Sequence, residues 1–232
     1  MMRAAVFAGE GRLTMEDRPV PVPAPGEVVV AVEACGICGS DLAVLDVPPR
    51  HPATPGTILG HEFVGRVSAV GEGVRSVAVG TRVIIDPDPK CGACGPCRAG
   101  RPAVCENIVA LGVYRDGALA SHVAAPAETC HPIAEDVPAT LAALAEPLAC
   151  VVNGTNRAAL RPGETAVVFG AGAIGCLFTA VFHAAGASTL VVVEPNESRV
   201  PVATAMGATH VLTPAAWAER RDEILPAGAD VV

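Results

Sequence analysis

Four cysteines fall within fifteen residues in CGACGPCRAGRPAVC: Cys91, Cys94, Cys97 and Cys105. Thiolates at these intervals, on a loop turned by Gly92, Gly95, Pro96 and Gly100, can wrap a tetrahedral Zn(II) and leave no open position for substrate. A metal held there would be structural. A second set is dispersed along the chain: Cys38 in ACGICGSD, His61 and Glu62 in GHEFVG, and Glu146 in AEPLAC. A thiolate, an imidazole and carboxylates make a mixed sphere in which three protein ligands leave a fourth position for water or an alcohol oxygen. That suits a catalytic metal. Cys35 and Cys38 also spell CxxC, which taken alone reads as a redox pair. Gly60 and Gly65 flank the His-Glu pair and permit close backbone approach.

A third signal is VVFGAGAIG, where Gly170, Gly172 and Gly175 follow an apolar run and open a helical segment. In that context the glycines let the backbone, with Ala173 and Ile174, reach a dinucleotide pyrophosphate at a helix N-terminus. Glu194 ends the next Val-rich run, nineteen residues after Gly175. A carboxylate there accepts hydrogen bonds from an adenosine ribose and repels a 2′-phosphate, so NAD is expected over NADP. Arg199 reads either as a guanidinium near the adenine or a phosphate, or as a solvated helix residue.

These residues need elements to position them. Up to about residue 150 the chain is punctuated by Pro and Gly, with β-rich segments at Ala4 to Phe7, Glu27 to Ala34, Phe63 to Val70, Arg82 to Ile85 and Ala120 to Ala124, which predicts a barrel-like domain over residues 1–152. From there strand and helix alternate, beginning with a helix over Val151 to Leu160, which predicts a doubly wound parallel sheet over residues 153–232. The fold class is α/β. The final Gly228 to Val232 reads as another strand starting, so the second domain is expected to be incomplete and the chain part of a longer protein. Thr165 to Val193 carries no formally charged residue and is long enough for a membrane window, but its glycines divide it into strand, turn, helix and strand.

Composition excludes several classes. With 51% hydrophobic and 17% charged residues the chain is globular rather than disordered. A net charge of -8 opposes phosphate attraction and argues against nucleic-acid partners. The N-terminal MMRAAVFAGEGR becomes charged too soon for a signal peptide, so nine cysteines read as reduced thiols or metal ligands in a cytoplasmic protein without a membrane partner.

In order and spacing these landmarks, with the opening MRAAVF and VPVPAPGEVVVAV, resemble the zinc-containing medium-chain dehydrogenase/reductase family of alcohol, sorbitol and threonine dehydrogenases. The resemblance implies a GroES-like barrel followed by a Rossmann domain, two zinc ions per chain, and a homo-oligomer, dimer or tetramer. It implies that Cys38, His61 and Glu146 hold the catalytic zinc, with Glu62 either a direct ligand or a partner that exchanges with water. It implies proton-relay duty for Ser40 and a supporting carboxylate in Asp41. Glu146, where alcohol dehydrogenases carry Cys, points to polyol, sugar, cyclitol and amino-alcohol substrates and their ketones. Ala43 departs from the pattern, since many relatives place a relay histidine there, as does Asn153, where some polyol dehydrogenases carry His; His51 reads either as a substitute relay or as a solvated loop residue. The expected activity is zinc-assisted hydride transfer between an alcohol and NAD. The alternatives are a non-enzymatic zinc- or NAD-binding module or a truncated inactive relative, and a zinc-free quinone reductase, which would have no use for the cysteine lobe.

Overall fold

The structure is a computed structural model and describes residues 1–232. Two compact units divide it, Met1–Glu146 and Pro147–Val232. The division falls inside a helix, somewhat ahead of the boundary expected at residue 152.

The first unit is built on a five-stranded sheet ordered β6-β3-β4-β5-β7, from β3 (Glu27–Cys35), β4 (Phe63–Val70), β5 (Arg82–Ile85), β6 (His122–Pro126) and β7 (Cys130–Pro132), all paired antiparallel. A hairpin of β1 (Met2–Gly9) and β2 (Arg12–Arg18) adds to it, through bridges from Ala4 to Ala120 and from Val6 to Ile58. Strand β3 is Val-rich, and β-branched side chains fit a pleated, buried surface. Its Val28 and Val30 pack with Phe63, Val67, Val83 and Ile85 in the main core. Each such side chain contributes roughly 1.5–3 kcal/mol on burial.

Short helices decorate this unit: α1 (Gly39–Val44), α2 (Gly95–Arg98) and α3 (Ala139–Ala142). The segment leading into α3 is pinned by Arg82, whose side chain is only 4% exposed. Its Nε donates to Glu33 at 2.8 Å, and its Nη1 donates to the carbonyls of Ala134 at 3.0 Å and Val137 at 2.7 Å. The buried charge is therefore paired and its donors are used, as burial of a guanidinium requires.

Helix α4 (Ala145–Ala158) starts six residues before the predicted Val151, so Glu146 and Pro147 occupy its first turn, where proline costs no hydrogen bond. In the second unit β8 (Thr165–Phe169), β9 (Thr189–Val193) and β10 (His210–Leu212) form a parallel sheet ordered β10-β9-β8. Helices α5 (Ala173–Ala184), α6 (Val200–Ala205) and α7 (Pro214–Ile224) alternate with the strands. Val231 makes a parallel bridge to Ala166, as the apolar Gly228 to Val232 segment predicts. Ala166, Val168, Leu190 and Val192 pack under Phe182 and Ala203. The uncharged stretch is thus strand, helix and strand, and no helix is long and apolar enough to cross a membrane.

Candidate functional site

Helix α1 begins where the chemistry is. Cys38 is its N-cap, in extended conformation, and Asp41 three residues on accepts the Cys38 backbone N–H at 2.9 Å. The other Asp41 oxygen accepts the Gly60 N–H at 3.4 Å and lies 3.6 Å from His61 Nδ1. One buried carboxylate therefore joins the loop that carries Cys38 to the loop that carries His61. Nδ1 has no hydrogen-bond partner, while Nε2 on the far side of the ring is 3.3 Å from Ser40 Oγ.

Sulfur of Cys38, a ring nitrogen of His61 and a carboxylate oxygen of Glu62 lie within 4.8 Å of one another. Glu62 is buried and reaches this group past Gly36, where a Cβ would run into the Glu62 carboxylate. Gly36 also donates its N–H to the Glu62 carbonyl at 2.7 Å, so the two strands of chain touch without a side chain between them. Glu146, from the first turn of α4, lines the same cavity as Ser40 and His61.

The charges in this cluster support one another. Burial disfavours an imidazolium, but the hydrogen bond to Cys38 and the charges of Asp41, Cys38 and Glu146 outweigh it and lift His61 to about 9. The Cys38 thiol is lowered, chiefly by His61, against the effect of burial. Cys35 goes the other way: burial, then the carboxylates of Asp41 and Glu62, push it up to about 12, and its thiol donates to the Gly36 carbonyl at 3.3 Å. A thiol so resistant to ionisation is a poor nucleophile, which weighs against the redox reading of the CxxC spacing.

The donor set of the cysteine lobe converges as well. Cys105 lies 3.5 Å from Cys91 and 3.8 Å from Cys94, sulfur to sulfur, and all four sulfurs lie within 4.8 Å of one another. Thiolates about 2.3 Å from a tetrahedral zinc sit roughly 3.8 Å apart, so the arrangement fits such an ion. Backbone N–H groups of Cys94 and Asn107 point at the sulfurs of Cys91 and Cys105, and the Asn107 amide donates to Cys91 at 3.4 Å. Led by Asn107, these donors lower Cys91 to about 6, while desolvation and the neighbouring Cys94 and Cys105 push Cys97 up to about 12.

A cavity of about 410 Å³ is lined by Ser40, His61 and Glu146 together with His51, Tyr114 and Glu106. One wall is held by bare backbone. Gly60, with φ +91°, lies against Gly112 and Gly117: a Cβ on Gly112 would come within 2.7 Å of the Gly60 carbonyl, and one on Gly117 would overlap it. The Gly60 carbonyl accepts the Ala118 N–H at 2.8 Å, so the turn before His61 and the turn carrying Tyr114 are locked together.

In the second unit Gly172 is the N-cap of α5 and offers no side-chain cap, leaving the first N–H groups of the helix for a ligand. Gly175 packs where a Cβ would overlap the Gly170 carbonyl, and Ala173 and Ile174 form the helix start between them. Glu194, buried at the end of β9, accepts the Ala171 N–H at 2.7 Å and the Asn196 N–H at 2.8 Å, and Arg199 Nη1 lies 3.4 Å away. Ala171 first, then Asn196 and Arg199, hold the Glu194 carboxyl below its usual range against the effect of burial. Glu194 thus ties the glycine turn to the next loop, beyond the ribose contact expected of it. Arg199 pairs with it through Nη1 while its side chain stays half exposed.

Residues 24–135 match the alcohol dehydrogenase GroES-like domain family. The chain is 38% identical over 203 residues to the L-threonine 3-dehydrogenase of Stenotrophomonas maltophilia, covering 85% of this chain and 58% of that one. It is 37% identical over 242 residues to a protein named D-xylulose reductase A from Aspergillus clavatus, covering 98% and 66%. A solved structure described as a zinc-binding dehydrogenase from Sinorhizobium meliloti, bound to NADP, superposes with a TM-score of 0.92 at 35% identity, again over 98% of this chain and 66% of the other. The chain belongs to the zinc-containing medium-chain dehydrogenase/reductase family. It spans 58–66% of the length of these relatives. Within this member of the family, three supporting residues escaped sequence reasoning: Gly36, Asn107 and Arg82. Gly36 lay inside the quoted CGIC motif, and Asn107 two residues beyond the last cysteine, where a side-chain donor to sulfur is a readable signal.

Proposed function

We propose that the protein is a zinc-dependent dehydrogenase that transfers hydride between a polyol or amino alcohol and a nicotinamide dinucleotide, NAD in preference to NADP. The observation that carries this reading is the donor cluster of Cys38, His61 and Glu62, backed by buried Asp41 and opening on the cavity lined by Ser40 and Glu146.

Asp41 on the Nδ1 side of His61 keeps the proton there and leaves Nε2 to face the cavity as a metal donor. Cys38 would supply a thiolate and Glu62 a carboxylate to the metal, while Glu146, outside that cluster, brings a further carboxylate to the cavity lined by Ser40 and His61. Bound there, zinc would supply the Lewis acidity that lowers the hydroxyl pKa of an alcohol, and a nicotinamide dinucleotide would supply the hydride acceptor. Ser40 Oγ, at the cavity wall, takes the hydroxyl proton and passes it to water, because Ala43 offers no base. The α5 N-terminus and the glycine turn hold the pyrophosphate, and the Glu194 charge disfavours a 2′-phosphate. The four-cysteine lobe holds a second zinc outside the reaction.

The test uses the full-length protein with NAD and NADP over polyols and amino alcohols, followed at 340 nm beside metal analysis. Cys38→Ala should lose one zinc and nearly all activity, whereas Ser40→Ala should keep both metals and slow roughly 10²- to 10⁴-fold. A Cys38→Ala protein that retains two zinc ions contradicts the assignment.

A further inference from the structure

The four-cysteine lobe leaves and rejoins the first unit at a narrow neck, where Leu111 N–H donates to the Pro87 carbonyl at 2.9 Å and Cys91 N–H to Cys105 sulfur at 3.5 Å. Asp88 enters that neck and Glu106 leaves it, and both line the cavity over Ser40 and His61. Neither carboxylate takes part in a hydrogen bond or ion pair. Lys90, two residues from Asp88, is already engaged: its Nζ lies 3.5 Å from Asp86 and donates to the Asp88 backbone carbonyl, leaving the Asp88 side chain unmatched. No Lys or Arg lines the cavity, while Glu146 adds a third carboxylate, and the remaining titratable groups facing it are His51, His61, Cys105 and Tyr114. Apart from the metal that its donors would hold and the two histidines, the lining offers no cation to neutralise a phosphate or a carboxylate, and Asp88 and Glu106 add two negative charges without a side-chain partner.

We propose that Asp88 and Glu106 are the charge-selecting residues of the cleft, so that its alcohols carry a cationic amino group and anionic alcohols are rejected. The proposal rests on the reading of the cleft as an alcohol site. Partly exposed charge pairs are each worth about a factor of two to five in affinity, so two together select roughly tenfold for a cation over its neutral isostere. The selection weakens with salt, because the Debye length contracts from about 10 Å at 0.1 M to about 3 Å at 1 M.

The experiment compares 1-amino-2-propanol, 1,2-propanediol and lactate, which share the same secondary alcohol and differ in one substituent. Dissociation constants are measured by NMR titration of the zinc-loaded full-length protein, with turnover measured separately. Binding should be tightest for the amine and weakest for lactate, and the order should collapse to within about twofold in Asp88→Asn/Glu106→Gln. Glu106→Gln alone should give about half the effect on a logarithmic scale, which keeps the test open if Asp88→Asn disturbs the lobe. Glu128→Gln removes the same charge from a surface position outside the cleft and should leave the order intact. Equal affinities for the three ligands in the parent, an order that survives the double substitution, or an equal effect of Glu128→Gln each overturns the proposal. Ordered binding without turnover of any alcohol counts against the dehydrogenase reading and leaves charge selection standing, and turnover with unordered binding does the reverse.

Discussion

Replacing Gly36 by Ala adds one methyl group at the point where Glu62 enters the metal-donor cluster. The added Cβ would overlap the Glu62 carboxylate oxygen and stand 3.1 Å from Glu62 Cβ, tighter than ordinary van der Waals contact. Gly36 has no positive φ, so the backbone itself tolerates Ala and the whole cost is steric. Glu62 is buried, and its backbone is held through the Gly36 N–H at 2.7 Å, so the main chain cannot yield without losing that bond. Overpacking of this kind costs about 1–3 kcal/mol. For a chain of this size each kcal/mol lowers Tm by roughly 2–4 °C, so a fall of about 2–12 °C is expected. The carboxylate is the movable part, and its displacement should weaken the catalytic metal while leaving the lobe metal in place. Gly36→Ala/Glu62→Ala removes the group that is struck, so the cycle should show a coupling of about 1–2 kcal/mol, within the range of touching residues. The assay is thermal melting of the four proteins with zinc content measured before and after dialysis. Additive effects, or a Gly36→Ala protein with parental Tm and two retained zinc ions, would refute the reasoning that this glycine exists to admit Glu62.

Arg82→Met should destabilise by about 1–3 kcal/mol, since it leaves the carbonyls of Ala134 and Val137 without their donor while Glu33 keeps its ion pair with Arg66 at 3.5 Å; urea denaturation checks it. Cys94→Ser should lower Tm and zinc content by one ion while leaving the cofactor affinity of the second unit unchanged, measured by melting, metal analysis and NADH fluorescence. Glu194→Gln bears on pH: the folded carboxyl lies below the unfolded value of about 4.3, so its contribution to stability is complete above that value and disappears as pH falls through the folded one. The variant should therefore lose less stability than the parent between about pH 5 and pH 3, read as Tm against pH; parallel curves would count against it.

Residue type and spacing carried the lobe, because its four ligands are neighbours in sequence and converge with only two short helical turns, Gly95–Arg98 and Pro102–Val104, between them. They carried the glycine turn for the same reason. The catalytic cluster was legible as a list, but its geometry was not: Asp41 joins two loops that are twenty residues apart, and the path of Glu62 past Gly36 depends on how β3 and β4 are registered. Strand β2, RLTMEDR, was missed because an exposed hairpin strand has no buried face to impose apolar alternation. Arg82 reads in sequence as one more surface guanidinium. Its role depends on Glu33 and the 134–137 segment, contacts about fifty residues away that no local pattern announces.

The contact among Gly60, Gly112 and Gly117 has a consequence for how this cleft can change over generations. A side chain at Gly112 or Gly117 would strike the Gly60 backbone, and one at Gly60 would strike Leu119 and the Cys35 sulfur, so none of the three admits a side chain without displacing the segments around His61 and Tyr114. Selection acting on substrate choice therefore has no variation to work with there. Diversification is channelled to the positions around that fixed seam, such as His51, Asp88, Glu106 and Tyr114, whose side chains face the cavity and whose replacement leaves the seam closed. A lineage could exchange its substrates while the frame holding Cys38 and His61 stayed frozen, and libraries aimed at new specificity should randomise the former set and spare the three glycines.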